Sequence, residues 1–113
     1  MSLQQLDSLA YLTEADIRAL TQEDVKGLSG HLASTITADQ IRWFDPIVLG
    51  RFLLGEQHSG MYNFSGGNYL RPEVINAISL DQINGITHSK ELPDVKELER
   101  YLMIKKLVAS RTL

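Results

Sequence analysis

The chain has 113 residues, of which 43% are hydrophobic and 22% are charged, and this composition predicts a single folded domain over residues 1–113. A formal net charge of −3 lacks the basic excess typical of nucleic-acid-binding domains, so we expect no nucleic acid partner. Cysteine is absent from the sequence, which excludes disulfides, thiolate metal sites and cysteine nucleophiles.

An eight-residue pattern (an octad) runs through residues 4–53. Consecutive steps are LTEADIRA (12–19), LTQEDVKG (20–27), LSGHLAST (28–35), ITADQIRW (36–43) and FDPIVLGR (44–51). The first and sixth positions are apolar throughout, and the second is Ser, Thr or Asp. One continuous α-helix cannot use this period, because eight residues at ~100° each turn the apolar stripe by about 80° at every step. We therefore expect the chain to change direction at each octad.

The second position of each octad carries a residue that prefers the helix N-cap. With Thr13 as N-cap, Asp16 is placed to complete a capping box. Leu12 and Ile17 are then the two ends of a hydrophobic staple. Each octad is therefore predicted to be a helix of one or two turns that the next cap ends. The same constellation recurs as Leu20/Thr21/Asp24/Val25, Ile36/Thr37/Gln40/Ile41 and Ile78/Ser79/Gln82/Ile83, while Ser29 and Asp45 are the N-caps of the remaining octads.

Residues 55–69, GEQHSGMYNFSGGNY, interrupt the octads and predict an irregular loop, because glycine, serine and asparagine dominate the segment. In one interpretation the loop is a connector whose aromatic residues hold it against the core. In the other it is a binding loop, since long loops in small domains are often functional.

Two further elements follow the loop. A second octad block over 70–86, LRPEVINA and ISLDQING, predicts two more short helices. Pro93 and Asp94 mark the start of a longer C-terminal helix over 94–110, with a buried stripe expected at Val95, Leu98, Leu102 and Val108. We expect this helix to close the stack of octads. If the side of this helix that faces away from the stack is also apolar, the helix is instead a face for a dimer or another partner.

The expected fold is all-α: short capped helices in eight-residue repeats, stacked as a spiral and closed by a longer C-terminal helix. The string ITADQIRWFDPIVLGRFL (36–53) resembles the repeated steps of the mesothelin, otoancorin and stereocilin group, and similar steps occur in bacterial surface and effector proteins. The resemblance covers residues 12–53 and, more loosely, 70–86. It implies a right-handed superhelix with a role in adhesion or interaction, and it implies no site residue.

The sequence carries no recognisable catalytic or cofactor motif. His31, His58 and His88 have no metal-ligand spacing, Gly66 and Gly67 do not belong to a phosphate-binding loop, and no GxSxG occurs. The carboxylates of the octads are explained by capping and the helix dipole. We therefore expect no metal, no cofactor and no enzymatic activity.

The predicted function is a non-enzymatic protein–protein interaction or scaffold module, of the kind expected within a bacterial effector or surface protein. Trp43 is interpreted either as a core residue or as an exposed anchor. One alternative is a small enzyme or ligand-binding domain that uses His58, Ser59, Tyr62 and Asn68 of the loop, and another is a segment of a longer repeat protein. The candidate partner-binding residues are Trp43, His58, Tyr62, Asn63, Phe64 and Tyr69.

The N-terminal residues and the apolar runs bear on the compartment of the protein. The first residues lack the basic and apolar regions of a signal peptide, and no apolar run approaches the ~20 residues of a membrane span. We expect a soluble protein, either cytoplasmic or exported without a conventional signal peptide.

Overall fold

Helices make up most of the chain, as the all-α prediction requires, and all but the last of them are short. The computed structural model describes residues 3–112. Two 3₁₀ turns, Leu3–Gln5 and Leu9–Tyr11, come first, and residues 57–62 form a two-stranded hairpin that was not predicted. The elements are α1 (Glu14–Arg18), α2 (Gln22–Val25), α3 (Gly30–Ala33), α4 (Ala38–Arg42), α5 (Pro46–Leu54), β1 (Gln57–His58), β2 (Met61–Tyr62), α6 (Ser65–Asn68), α7 (Pro72–Ala77), α8 (Leu80–Thr87) and α9 (Val95–Thr112).

The predicted N-caps start these helices. The Thr13 hydroxyl accepts a hydrogen bond from the Asp16 backbone N–H at 3.2 Å, and the Asp16 carboxylate accepts one from the Thr13 N–H at 2.9 Å. Such side chains replace intrahelical partners that the first turn lacks. All four predicted capping boxes form in this way, at Thr13/Asp16, Thr21/Asp24, Thr37/Gln40 and Ser79/Gln82, and Ser29 and Asp45 also act as N-caps.

Helix α5 is longer than one octad. It begins at its Asp45 cap and continues to Leu54, because the next second position is Leu53, which cannot cap a new helix. It ends at Gly55, whose φ of +70° favours glycine. Where no capping residue stands at the second position, the helix therefore continues past the end of its octad.

The apolar positions of the octads form the core. Their side chains share one face of each short helix, and burying that face stabilises helices that are too short to be stable alone. The buried first-position residues are Leu12, Leu20, Leu28, Ile36, Phe44 and Phe52, and the buried sixth-position residues are Leu9, Ile17, Val25, Ala33, Ile41 and Leu49.

Four of the helices pack against the helix that comes third after them in chain order: α2 contacts α5, α3 contacts α6, α4 contacts α7 and α5 contacts α8. Helix α9 lies against α7, α8 and α5. The contact between α5 and α6 depends on Gly66, because a Cβ there would lie 1.9 Å from the carbonyl oxygen of Phe52. Only glycine permits that approach between two backbones.

Two buried glutamines join distant parts of this packing. The Nε2 of Gln40 donates hydrogen bonds to the carbonyl oxygens of Leu9 and Leu12, both at 2.9 Å. Its Oε1 accepts from the Thr37 N–H at 3.0 Å in the capping box of α4. One side chain therefore completes the capping box of its own helix and donates to carbonyls at the first residue and the C-cap of the 3₁₀ turn Leu9–Tyr11. Gln82 makes the equivalent bonds at the end of α4.

The segment 55–69 differs from the irregular loop that was predicted. Strands β1 and β2 pair antiparallel around Ser59 and Gly60, which both have positive φ, as the tightest hairpin turns require. The carboxamide oxygen of Asn63 then accepts from the N–H groups of Glu56 and Ser65, and α6 follows at once. Two-residue strands are too short to show alternation in the sequence, so the prediction missed them.

Candidate functional site

Helix α9 is the longest helix, and its inner face is part of the core. Leu98 and Leu102 are completely buried and Ala109 is 4% exposed. The helix begins after Asp94, whose carbonyl accepts from the Leu98 N–H at 2.9 Å. The predicted stripe was wrong at Val108, which is 56% exposed. Ala109, seven residues after Leu102, returns to the buried face after two turns, whereas Val108 is turned away by about 100°.

The outer face of α9 exposes four large apolar side chains, which we call the apolar patch: Met103, Ile104, Leu107 and Val108, each 55–56% exposed. They occupy positions i, i+1, i+4 and i+5 and therefore adjoin one another over about one and a half turns. An apolar outer face of this helix was the condition under which a partner face was predicted, and these four side chains are apolar and exposed.

A shallow groove of about 570 Å³ begins at one end of the apolar patch. Two side chains of the patch, Met103 and Ile104, form part of its wall, and charged side chains of the first turns of α9 form another part. Apolar surface and polar rim are the usual components of an interface. The remaining lining residues are Thr87, Val95, Lys96, Glu99 and Arg100.

Polar contacts fix the orientation of α9 on the rest of the chain. The ammonium of Lys106 donates to the carbonyl oxygen of Ile78 at 2.7 Å and to those of Ile75 and Asn76 at 3.4 and 3.3 Å. Burial lowers the pKa of Lys106 from its ordinary value. Because these contacts hold the inner face of α9, the apolar patch stands at a defined position on the surface.

Tyr101 joins α9 to the segment 55–69. Its ring stacks on Phe64 with centroids 4.6 Å apart, its hydroxyl donates to the Asn68 carboxamide oxygen, and the Lys105 ammonium lies 5.6 Å from the ring centroid. Burial raises the pKa of Tyr101 well above its usual range. Tyr101 and Asn68 therefore connect α9 to the segment 55–69, a structural role that was not predicted for either residue.

The candidate residues of the hairpin divide into exposed and engaged side chains. The imidazole of His58 is 69% exposed and lies 3.4 Å from the carboxylate of Glu56, and Ser59 is exposed at the turn. Tyr62 is half-buried, with its hydroxyl 3.3 Å from Arg51 Nη1. Asn63 supports the backbone on both sides of the hairpin.

Tyr62 and Phe64 are the two candidate residues that share a surface depression. It has a volume of about 310 Å³, and its wall includes the carboxylate-bearing residues Asp94 and Glu97. Gly60 and Met61 complete the lining, which does not include His58, Ser59 or Asn68. The polar groups considered for a small catalytic or ligand site therefore do not line this cavity together.

Trp43 and Tyr69 belong to other parts of the fold. Trp43 is the C-cap of α4, half-buried and packed against the core, which combines features of the two interpretations made from sequence. Tyr69 is 58% exposed, and its ring covers Gly30 of α3, where a Cβ would lie 2.2 Å from the ring. Neither residue lines the groove or the depression just described.

None of the four residues of the apolar patch is among the candidate site residues predicted from the sequence. Its signal is visible in the paired apolar doublets 103–104 and 107–108, which are four residues apart and fall outside the stripe through Leu98 and Leu102. Helical periodicity alone could have separated these two faces.

No protein-family model, curated protein or solved structure matches this chain. Over residues 3–112 no set of three or more histidine, aspartate or glutamate side chains is grouped to hold a metal ion. Within the same range no helix has the length and apolarity to cross a membrane.

Proposed function

We propose that this chain is a non-enzymatic protein-binding module: a right-handed spiral of short capped helices that presents the outer face of α9 to another protein. The spiral is supported by the octad caps and by the packing of each of α2–α5 on the helix three places later. Its handedness comes from the sequence resemblance and stays a prediction. A superhelix of this kind is a scaffold that holds a surface at a fixed position.

The apolar patch is the observation that carries the proposal. Exposed hydrophobic residues scattered singly need no explanation, but a contiguous group on one helix face is typical of an interaction site. The other exposed large apolar residues, Tyr11, Met61, Tyr69 and Leu80, lie in four different parts of the chain, whereas the four side chains of the patch are neighbours on two successive turns. Covering the patch with a partner would remove apolar surface from water and favour binding.

A role in small-molecule chemistry through the segment 55–69 has less structural support than the interaction role. Its candidate groups are dispersed: His58 and Ser59 lie on the exposed turn, and Asn68 contacts Tyr101. Acid–base or nucleophilic catalysis needs such groups within hydrogen-bond reach of one another or of a substrate. The interaction role therefore has the stronger physical support.

Two matched leucine variants test the proposed role. Leu107→Gln places a polar amide in the apolar patch, while Leu80→Gln changes an exposed leucine on α8, which is 72% exposed. We expect affinity capture from cell extract, read by mass spectrometry, to retain a partner with the wild type and with Leu80→Gln. Leu107→Gln should weaken that binding by roughly 5- to 100-fold, the effect of truncating a central interface contact.

Thermal unfolding of both variants should match the wild type within about 0.5 kcal/mol, since neither side chain is buried. Equal recovery of every captured protein by the three chains, or recovery of none above bare resin, would contradict the proposed function.

A further inference from the structure

The charges of this chain are divided unevenly between α9 and the rest. Residues 1–94 contain six lysines and arginines against twelve aspartates and glutamates, a formal charge of −6. Residues 95–113 contain five against two, a formal charge of +3. The element that presents the apolar patch is therefore the basic element of an acidic protein.

Three cations of α9 lie along its outer face together with the patch. Lys96, Arg100 and Arg111 are exposed, and at ~100° per residue they fall within the same sector as Leu107. Lys105 and Lys106 are turned inward, toward the Tyr101 ring and the α7 carbonyls respectively. We call the outward set the outer stripe: Lys96, Arg100, Met103, Ile104, Leu107 and Arg111.

The order of charges along the outer stripe is positive, apolar, positive. Lys96 and Arg100 precede the apolar centre and Arg111 follows it, over about 22 Å of helix. The carboxylate of Glu97 lies 3.4 Å from Arg100 at one edge, and Glu99 lies at the other. The helix dipole favours a cation such as Arg111 in the last turn but disfavours one in the first, so it does not account for Lys96.

We infer that the outer stripe binds an acidic amphipathic helix of another protein, with an apolar centre between carboxylates at its two ends; this inference rests on the proposed function. Apolar residues of that helix would cover Met103, Ile104 and Leu107, as in helix–groove recognition. Its carboxylates would pair with Arg100 and Arg111, which present planar guanidinium groups suited to them.

A second copy of this chain fits the outer stripe poorly. A parallel α9 pair would bring Arg100 against Arg100, and an antiparallel pair centred on the apolar patch would bring Arg100 against Arg111. Like charges opposed across an interface are costly in either orientation. An anionic membrane also fits less well, because the apolar centre contains no tryptophan or phenylalanine and residues 1–94 carry −6.

Two synthetic helical peptides provide the test. Each peptide is about 16 residues long and has leucine and isoleucine in its two central turns. One has glutamate on the terminal turns, and its twin has lysine at the same positions. Fluorescence anisotropy with the full chain should show the glutamate peptide binding at least about tenfold more tightly than its twin. That preference should fall as salt rises from about 0.05 M to about 0.3 M.

Charge reversal of the chain supplies the matched control. Lys96→Glu combined with Arg100→Glu should abolish or invert the preference between the two peptides. Lys26→Glu combined with Lys90→Glu changes the net charge equally at exposed sites outside α9 and should leave the preference as it is. An equal effect of both double variants would show that net charge acts instead of the outer stripe, and would overturn the inference.

Other outcomes separate this inference from the proposed function. Equal affinity for both peptides, with loss of both in Leu107→Gln, would overturn the acidic partner and leave the interaction role standing. Self-association that Leu107→Gln removes would assign the stripe to a second copy. Sedimentation with vesicles of phosphatidylcholine and about one third phosphatidylserine, without binding of either peptide, would assign it to a membrane and overturn both proposals. Binding of neither peptide, vesicles nor a second copy would overturn the acidic partner, and the leucine variants would then decide the interaction role.

Discussion

The side-chain nitrogen of Gln82 lies 3.0 Å from the carbonyl oxygen of Phe44, 38 residues earlier in the chain. A second bond reaches Ile41 at 2.9 Å, so this one amide satisfies two carbonyls at the end of α4. Its oxygen meanwhile accepts from the Ser79 N–H in the capping box of α8. A carboxylate could perform the capping but could not donate to the carbonyls, which explains an amide at this position.

Replacement of Gln82 by glutamate separates these two tasks. Glutamate is a favoured residue at the third position of a capping box, so the cap of α8 should survive. The two carbonyls would lose the Gln82 donor and face a carboxylate, which costs about 2–4 kcal/mol of unfolding free energy. Urea denaturation of Gln82→Glu at neutral pH measures this loss.

Asp16→Glu is the control for Gln82→Glu, because the Asp16 capping box is partly exposed and none of its bonds reaches a distant carbonyl. Its stability should stay within about 0.5 kcal/mol of the wild type. Similar losses in the two variants would mean that the capping box, and not the bond to Phe44, is the source of the effect.

Neighbouring lysines of α9 should differ in their contributions to stability. Lys106→Met removes the ammonium that donates to the Ile78 carbonyl at 2.7 Å, and the expected cost is roughly 1–3 kcal/mol. Lys105→Met loses only a contact with the Tyr101 ring, worth under about 1 kcal/mol. Chemical denaturation of both variants compares them directly. Equal stability of the two would refute the idea that Lys106 anchors α9.

The Asp24 carboxylate should make stability depend on pH. The Thr21 backbone N–H donates to it at 2.8 Å and holds its pKa below the ordinary value of 3.8. Because the folded pKa is the lower one, the contribution is present above the unfolded pKa and is lost as pH falls through the folded value.

Asp24→Asn should therefore be less stable than the wild type at pH 7, by under ~1 kcal/mol, since solvent screens the exposed carboxylate. Urea denaturation at a series of pH values should show the two chains converging under acidic conditions. A difference that stays constant over the whole series would rule out this explanation.

Phe64 has a backbone conformation that aromatic residues rarely adopt. Its φ is +54° and ψ is +31°, and its ring stacks on Tyr101. Ala and Gly variants both lose the ring, but only glycine adopts this conformation without strain. Phe64→Gly should therefore be more stable than Phe64→Ala by about 1 kcal/mol in thermal unfolding, the reverse of their order at an ordinary helical position. The opposite order would show that no strain is relieved there.

Local features of this fold were predictable from the sequence, and distant ones were not. A cap such as Thr13 and its partner Asp16 are three residues apart, so their interaction follows from spacing alone. Burial of Ile17 follows from the same octad. The carbonyls that Gln40 and Gln82 reach are 28 to 41 residues away, and no periodicity identifies such partners.

The candidate site shows a similar division. The segment 55–69 was favoured as a binding site because its composition departs from the octads. In the structure, however, the Asn63 side chain accepts from a backbone N–H, and the Phe64 ring stacks on Tyr101. The apolar patch on α9 was considered only as a condition, because helical spacing separates two apolar faces but does not show whether the outer face is covered. Val108 was assigned to the wrong stripe because a step of six residues from Leu102 ends about 120° away from the buried face.

The bond between Gln82 and Phe44 also has a consequence for the order in which the protein can fold. As the chain leaves the ribosome, α4 is complete long before its donor on α8 has been synthesised, and the Ile78 carbonyl likewise waits for Lys106. Helices this short do not persist without their tertiary partners. Folding should therefore be a late and cooperative event in synthesis, and the nascent N-terminal half should stay sensitive to protease until α8 and α9 emerge.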